Sequence, residues 1–238
     1  MSKKENNPDI CGYYHLRGSI KDWCPMDTKQ RYEEHMLVKD KRKLLNDYGW
    51  DDKSITYKFN KFGFRCKDLT LKEQIMFIGC SYTMGMAVPE EYSFASIVAK
   101  ELNLECYNLG LGGGTNDTAF RLAHYWVSKL NPKYLVFVEP TADRIELKSV
   151  DETWKRYNAR QHHESPFYKQ WVSNEANVRY QRERNIAALN YICLKNNTKF
   201  IHLDNKFSKV DKGRDLAHPG IESHKLKAVD VLNAIQSA

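Results

Sequence analysis

The chain has 238 residues, 42% of them hydrophobic, which suits one α/β domain with an extension and is enough for a packed core. Its net charge of +7 comes from 37 basic against 30 acidic residues with no long basic block, so a nucleic-acid interface, which needs a clustered basic face, is not expected. No run approaches the length of a membrane span, and the 6 cysteines are scattered without a CxxC pair, which argues against a zinc site or a disulfide framework and for free thiols.

No apolar stretch follows Met1–Asn7, so no secretory signal is expected; a cytoplasmic location follows, and the build fits a bacterial or phage protein. Residues 1–70 are expected to form an N-terminal extension packed on a main domain over 71–238, with an insertion at about 148–174. Met1–Met26 is irregular, broken by Pro8, Gly12, Gly18 and Pro25, and its Tyr13, Tyr14 and Trp23 are expected to pack on the main domain. Asp27–Tyr48 reads as one charged helix closed by Gly49. Ile55–Arg65 alternates apolar with polar and suggests a strand or hairpin feeding the first core strand.

From Gln74 onward, strands alternate with helices. Strands are expected at Ile75–Ile78, Glu105–Leu109, Tyr134–Glu139 and Lys199–Leu203. Helices are expected at Glu91–Asn103, Asn116–Leu130, Glu175–Asn196 and Gly220–Ile235. Lys148–Asn174 reads as a polar, aromatic insertion with some helix. Such alternation means right-handed crossovers and a parallel sheet covered by helices on both faces.

Ile75–Thr83 reads Ile-Met-Phe-Ile-Gly-Cys-Ser-Tyr-Thr: a short apolar run, a glycine, and an isolated hydroxyl two positions later. That pattern presents Ser81 at the carboxyl edge of a parallel sheet, where function in open α/β sheets sits. A serine nucleophile needs a base within hydrogen-bond reach, and the base needs an orienting group. Asp215-Leu-Ala-His218-Pro219-Gly220 offers both on one loop. The expected roles are Ser81 nucleophile, His218 general base then acid, and Asp215 orienter. The alternative for this tetrapeptide is a helix N-terminus capped by Asp215.

Acyl transfer also needs donors where the oxyanion develops. Asn108-Leu-Gly110-Leu-Gly112-Gly113-Gly114-Thr115-Asn116-Asp117 lies between a strand and a helix, where consecutive glycines let backbone N–H groups approach a ligand and Asn116 can add an amide donor. A nucleotide loop is the competing reading of Gly110–Gly114, but Thr115 stands where the third glycine of GxGxxG belongs.

In this order, Gly79-Cys80-Ser81-Tyr82-Thr83, Asn108-Leu-Gly110 through Gly113, and Asp215-Leu-Ala-His218-Pro219 resemble the blocks of the SGNH (GDSL-like) hydrolases, esterases and lipases with a flavodoxin-like three-layer α/β/α sheet. The resemblance implies Ser81 as nucleophile with its own N–H donating, Gly113 as the second oxyanion donor, and Asp215 and His218 as the other triad members. It covers Asn60 to the end, outside the insertion. Cys80 replaces the aspartate of GDSL. Where the third block would carry Gly-x-Asn-Asp, the chain has Pro140-Thr141-Ala142-Asp143-Arg144 and no asparagine. Asn116 takes over the amide role, Thr141 or Arg144 helps, or the site is one donor short.

Other candidates read more simply. His162-His163 suits a solvated pair, His124 packing within a helix, and Cys80 either a reactive thiol or a small buried hydrophobe. Trp154, Tyr157, Phe167 and Trp171 suit either sugar stacking over the site or a small core holding the insertion together. The expected function is serine-dependent ester hydrolysis of a small acyl ester, an acetyl group on a carbohydrate in the first instance, with no cofactor and no metal. A binding or structural protein on the same fold is the second reading, and a nucleotide-binding protein the third.

Overall fold

The structure, a computed structural model, describes residues 7–150, 152–158, 166–172 and 174–238. A short strand β1 (Ile20–Lys21) pairs antiparallel with β2 (Tyr57–Lys58). Between them the expected single helix is two, α1 (Lys29–Leu37) and α2 (Lys39–Asp47). Thr28 starts α1 by accepting the Arg31 N–H at 3.2 Å. The β-branched Val38 is extended (φ −97°, ψ 118°) and ends it. The break leaves Leu37 in solvent and lets Leu45 enter the core. Gly49, at φ +68°, closes α2 in the left-handed region that favours glycine. The strand expected over Ile55–Arg65 shrinks to β2; the chain then turns at Asn60, whose Oδ1 accepts the Phe62 and Phe64 N–H groups.

From Gln74 strands and helices follow as β3 (Gln74–Ile78), α3 (Ser81–Met84), α4 (Phe94–Glu101), β4 (Glu105–Asn108), α5 (Asn116–Leu130) and β5 (Tyr134–Val138). The turn Glu90–Tyr92 is 3-10, because Ser93 caps α4 and fixes its start one turn later than the periodicity predicts. Thr115 and Thr118 form a capping box on α5, and Asn131, at φ 45° before Pro132, ends it. The polar insertion is more ordered than expected: β6 (Arg144–Lys148) and β7 (Trp154–Asn158) make an antiparallel hairpin, followed by α6 (Pro166–Val172). The chain closes with α7 (Glu175–Lys195), β8 (Lys199–Leu203) and α8 (Ile221–Gln236).

The sheet order is β4-β3-β5-β8, all parallel. Strand alternation sends Ile75, Phe77, Val136, Val138 and Ile201 to one face, against Phe94 and Val98 of α4 and Val231 of α8. Met76, Ile78, Leu135 and Phe137 face the other way, against Leu122 and Trp126 of α5 and Leu189 of α7. This is a three-layer α/β/α fold. Its order reverses at β3, so the carboxyl ends of β3, β4 and β5 open onto a crevice at the switch point.

Residues 10–66 share the second of those layers. Ile10, Tyr13, Trp50, Ile55, Tyr57, Phe59 and Phe64 are buried in one cluster with Met76 and Phe137. At roughly 1.5–3 kcal/mol per buried large side chain, their burial is comparable with the whole net stability of a domain, about 5–15 kcal/mol. Among the described residues no helix is long and apolar enough to cross a membrane.

Candidate active site

Ser81 sits at the start of α3, immediately beyond the carboxyl end of β3. The turn is tight. A side chain at Gly79 would strike Thr83 and the Val138 carbonyl, and one at Gly114 would come within 2.5 Å of the Gly79 carbonyl. The glycine loop therefore lies directly on the backbone that carries Ser81.

The loop between β8 and α8 brings the other two side chains. His218 Nε2 lies 2.9 Å from Ser81 Oγ, and its Nδ1 lies 2.5 Å from Asp215 Oδ2. Asp215 Oδ1 accepts the backbone N–H groups of Ala217 (3.0 Å) and His218 (2.9 Å), which folds the carboxylate back onto the imidazole. The alternative of Asp215 as a helix cap does not hold. Asp211 takes that place, accepting the Glu222 and Ser223 N–H groups at 2.9 Å each, and leaves Asp215 to the histidine. Burial pushes the Asp215 carboxyl up, but the hydrogen bond and charge of His218 and the two N–H donors outweigh it and hold the group below the usual carboxylate range. The Tyr82 ring stands edge-on to His218 at 5.6 Å. A carboxylate, an imidazole and a half-buried hydroxyl in this order can transfer a proton from serine as it attacks.

Gly113 has φ +70° and open space where a side chain would be. Its neighbours' N–H groups are engaged: Gly112 donates to Tyr13 Oη at 2.6 Å and Gly114 to the Leu111 carbonyl at 2.8 Å. Among the described residues, the N–H groups of Gly113 and Ser81 donate to no protein acceptor. Of the three stand-ins for the missing asparagine, Asn116 opens α5 and is buried, with Oδ1 lacking a partner among the described residues. Thr141 is exposed, and Arg144 Nη1 contacts the Gly114 carbonyl at 3.5 Å. The β5 carboxyl end instead carries Glu139, buried and joined to Arg182 and to His202 (3.0 Å).

Two sets of residues that motif reading missed hold this arrangement. Tyr13, from the N-terminal segment, accepts the Gly112 N–H and donates to Met84 Sδ at 3.7 Å; burial pushes its hydroxyl up to about 12, so it stays protonated. Asp27 and Arg214 form a buried bidentate pair, at 3.1 Å (Nε to Oδ1) and 2.8 Å (Nη2 to Oδ2). Tyr57 donates to Asp27 Oδ2 at 2.5 Å, and the Arg214 guanidinium lies 3.8 Å over the Trp23 ring. The Arg214 N–H donates to the Ala87 carbonyl, and Trp50 Nε1 donates to the Lys212 carbonyl at 2.8 Å. The segment before residue 60 thus clasps the loop that presents Asp215 and His218. Neither set has a local motif, because partners such as Asp27 and Arg214 are remote in sequence.

Cys80 is buried beside the Asn205 side chain, as a small packed residue. His124 stacks on Phe120 within α5. His162 and His163 lie outside the described residues. In the insertion, Trp154 Nε1 donates to Asp9 Oδ1 at 2.8 Å, and buried Tyr168 stacks on Trp171, while Phe167 is exposed. Among the described residues no group of three His, Cys, Asp or Glu side chains is gathered as metal ligands.

No family model matches the sequence, and no curated protein matches it. Among solved structures it is similar to a lipolytic protein of the G-D-S-L family from Desulfitobacterium hafniense, at 14% identity and TM-score 0.38 over 68% of this chain and 99% of that one. An acetyl xylan esterase from the rumen bacterium Butyrivibrio proteoclasticus aligns at 13% identity and TM-score 0.41, over 78% of this chain and 66% of that one. The lipase/acylhydrolase from Enterococcus faecalis aligns at 13% identity and TM-score 0.36, over 70% of this chain and 96% of that one.

Proposed function

We propose that this chain is a serine-dependent ester hydrolase working through an acyl-enzyme on Ser81. The observation that carries the reading is the unbroken line from Asp215 through His218 to Ser81, with contacts of 2.5 and 2.9 Å. In this mechanism His218 Nε2 takes the Ser81 proton as Oγ attacks the ester carbonyl. Asp215, kept ionised, holds the Nδ1–H tautomer and stabilises the imidazolium. The oxyanion meets the N–H groups of Ser81 and Gly113, with Asn116 as the amide donor. His218 then protonates the leaving alcohol, and a water activated by the same imidazole releases the acid. The 15-residue α5 begins at Asn116, three positions after Gly113, and its N-terminal end adds a favourable partial positive charge. A small acyl group, acetyl on a carbohydrate in the first instance, is the proposed substrate, since the aromatic residues Trp154 and Tyr157 line a cleft together with Gly113.

The test is turnover of 4-nitrophenyl acetate and covalent labelling by a fluorophosphonate, each with parent protein and Ser81→Ala. Turnover and labelling should both vanish with Ser81; equal rates in the two proteins would reject the assignment. The second reading, a binding protein on this fold, is favoured by the lack of an asparagine in Pro140-Thr141-Ala142-Asp143-Arg144, where an oxyanion donor is wanted. Loss of one such donor costs about 10²–10³ in rate. Ligand binding without Ser81-dependent turnover or labelling would establish it.

A further inference from the structure

A cleft of about 370 Å³ lies beside the glycine loop, lined by Gly112, Gly113 and the β7 residues Trp154 to Asn158. It is larger than an acetyl group requires, and Gly113 forms part of its wall. One charge in it stands out. Arg156 lines the cleft with its guanidinium 5.6 Å over the Tyr13 ring, and no carboxylate lies within ion-pair distance of it among the described residues.

The nearby acids are occupied or turned elsewhere. Glu146, opposite Arg156 in the hairpin register, is bound through both oxygens by Arg121 at 2.8 and 3.0 Å. Asp9 is held by Trp154 and Lys148, and Glu152 by Lys148. Asp143, next to Arg144, has a buried Oδ1 without a partner and forms no ion pair with either arginine among the described residues. Arg144, in contact with the Gly114 carbonyl, adds a second cation without a carboxylate partner among the described residues. The hairpin is pinned by the buried Arg121–Glu146 pair, so Arg156 is presented from a fixed strand.

We propose that this cleft receives a carboxylate borne by the substrate, with Arg156 as its bidentate donor and Trp154 and Tyr157 flanking the adjoining carbon skeleton. A planar guanidinium pre-set over an aromatic ring matches carboxylate geometry and loses little freedom on binding. The substrate class becomes an anionic ester rather than a neutral one. The inference rests on the ester-hydrolase reading and narrows it.

The experiment compares kcat/KM for phenyl acetate, 4-acetoxybenzoate (carboxylate on the alcohol side) and monophenyl succinate (carboxylate on the acyl side). One anionic ester should exceed phenyl acetate at least tenfold at low ionic strength, and which one responds identifies the side that enters the cleft. In Arg156→Met that ratio should fall at least tenfold, with Arg156→Lys intermediate; sodium chloride should lower it in the parent. Ratios that stay the same in Arg156→Met overturn the proposal while leaving ester hydrolysis standing. Calorimetric titration of Ser81→Ala with each anionic ester reads binding without turnover. Saturable binding weakened at least tenfold by adding Arg156→Met supports the cleft even if no ester is hydrolysed, and no binding of either ester overturns it.

Discussion

Replacing Asp27 by asparagine keeps the shape of the residue and removes its charge. Asp27 and Arg214 are 1% and 4% exposed, so the guanidinium left behind has no water to turn to. Removing one partner of a buried ion pair costs about 3–5 kcal/mol, against a total stability of about 5–15 kcal/mol. For a chain of this length, at roughly 2–4 °C per kcal/mol, the melting temperature should drop by about 6–20 °C. The double replacement Asp27→Leu with Arg214→Met removes the desolvation cost together with the attraction, and should lose less than the two single changes summed. Arg214 adjoins Asp215, so, on the proposed hydrolase function, the folded Asp27→Asn protein, assayed well below its melting temperature, should also lose kcat. A 1 Å misplacement of a catalytic group costs on the order of 10²-fold. The assays are thermal denaturation followed by circular dichroism and ester turnover by the same samples. An Asp27→Asn protein that melts within 2 °C of the parent (about 1 kcal/mol or less) and turns over equally fast would refute the clasp.

Tyr13→Phe strips the half-buried Gly112 N–H of its acceptor. A cost of about 1–3 kcal/mol is expected in denaturant unfolding, together with a lower kcat as the Gly113 N–H loses its fixed direction. Asn116→Ala should lower kcat about 10²–10³-fold with little change in KM if the amide meets the oxyanion, and steady-state kinetics read this directly. Asp215→Asn should cost about 10⁴ in kcat by allowing the wrong His218 tautomer, with circular dichroism unchanged. His224 is fully buried, with Nδ1 accepting the Phe94 N–H at 3.2 Å. Burial, helped by Arg65 and His218, pushes it down to about 3 against the pull of Asp211. Its folded value lies below its unfolded one, so between about pH 6.5 and 3 the unfolded chain binds the extra proton. Stability is full above that window and falls by about 1.4 kcal/mol per unit as pH drops through it. The slope of unfolding free energy against pH should shrink by one proton in His224→Phe.

Much of the main domain is legible locally. Asn116–Leu130 and Lys199–Leu203 have the bounds their periodicity and flanking turn residues predict, because caps such as Thr115 and the left-handed Asn131 are encoded within a few residues of each helix end. The Ser81 turn, the glycine run and the Asp-x-x-His loop are each readable as short patterns, since steric demands on glycine and proline act at close range. The two-helix break at Val38, the hairpin of β6 and β7 and the shrinkage of Ile55–Arg65 to a two-residue bridge were not legible, because each depends on packing partners far along the chain. Local sequence therefore determined which residues could act and where strands and helices begin. Tertiary structure alone decided that Ser81 and His218, 137 positions apart, come within 2.9 Å. It also decided that Asp211 rather than Asp215 caps the last helix, and that Tyr13, Asp27 and Arg214 hold the site in register. Hydrogen bonds between remote residues leave no periodic trace, and only the closed fold brings their partners into reach.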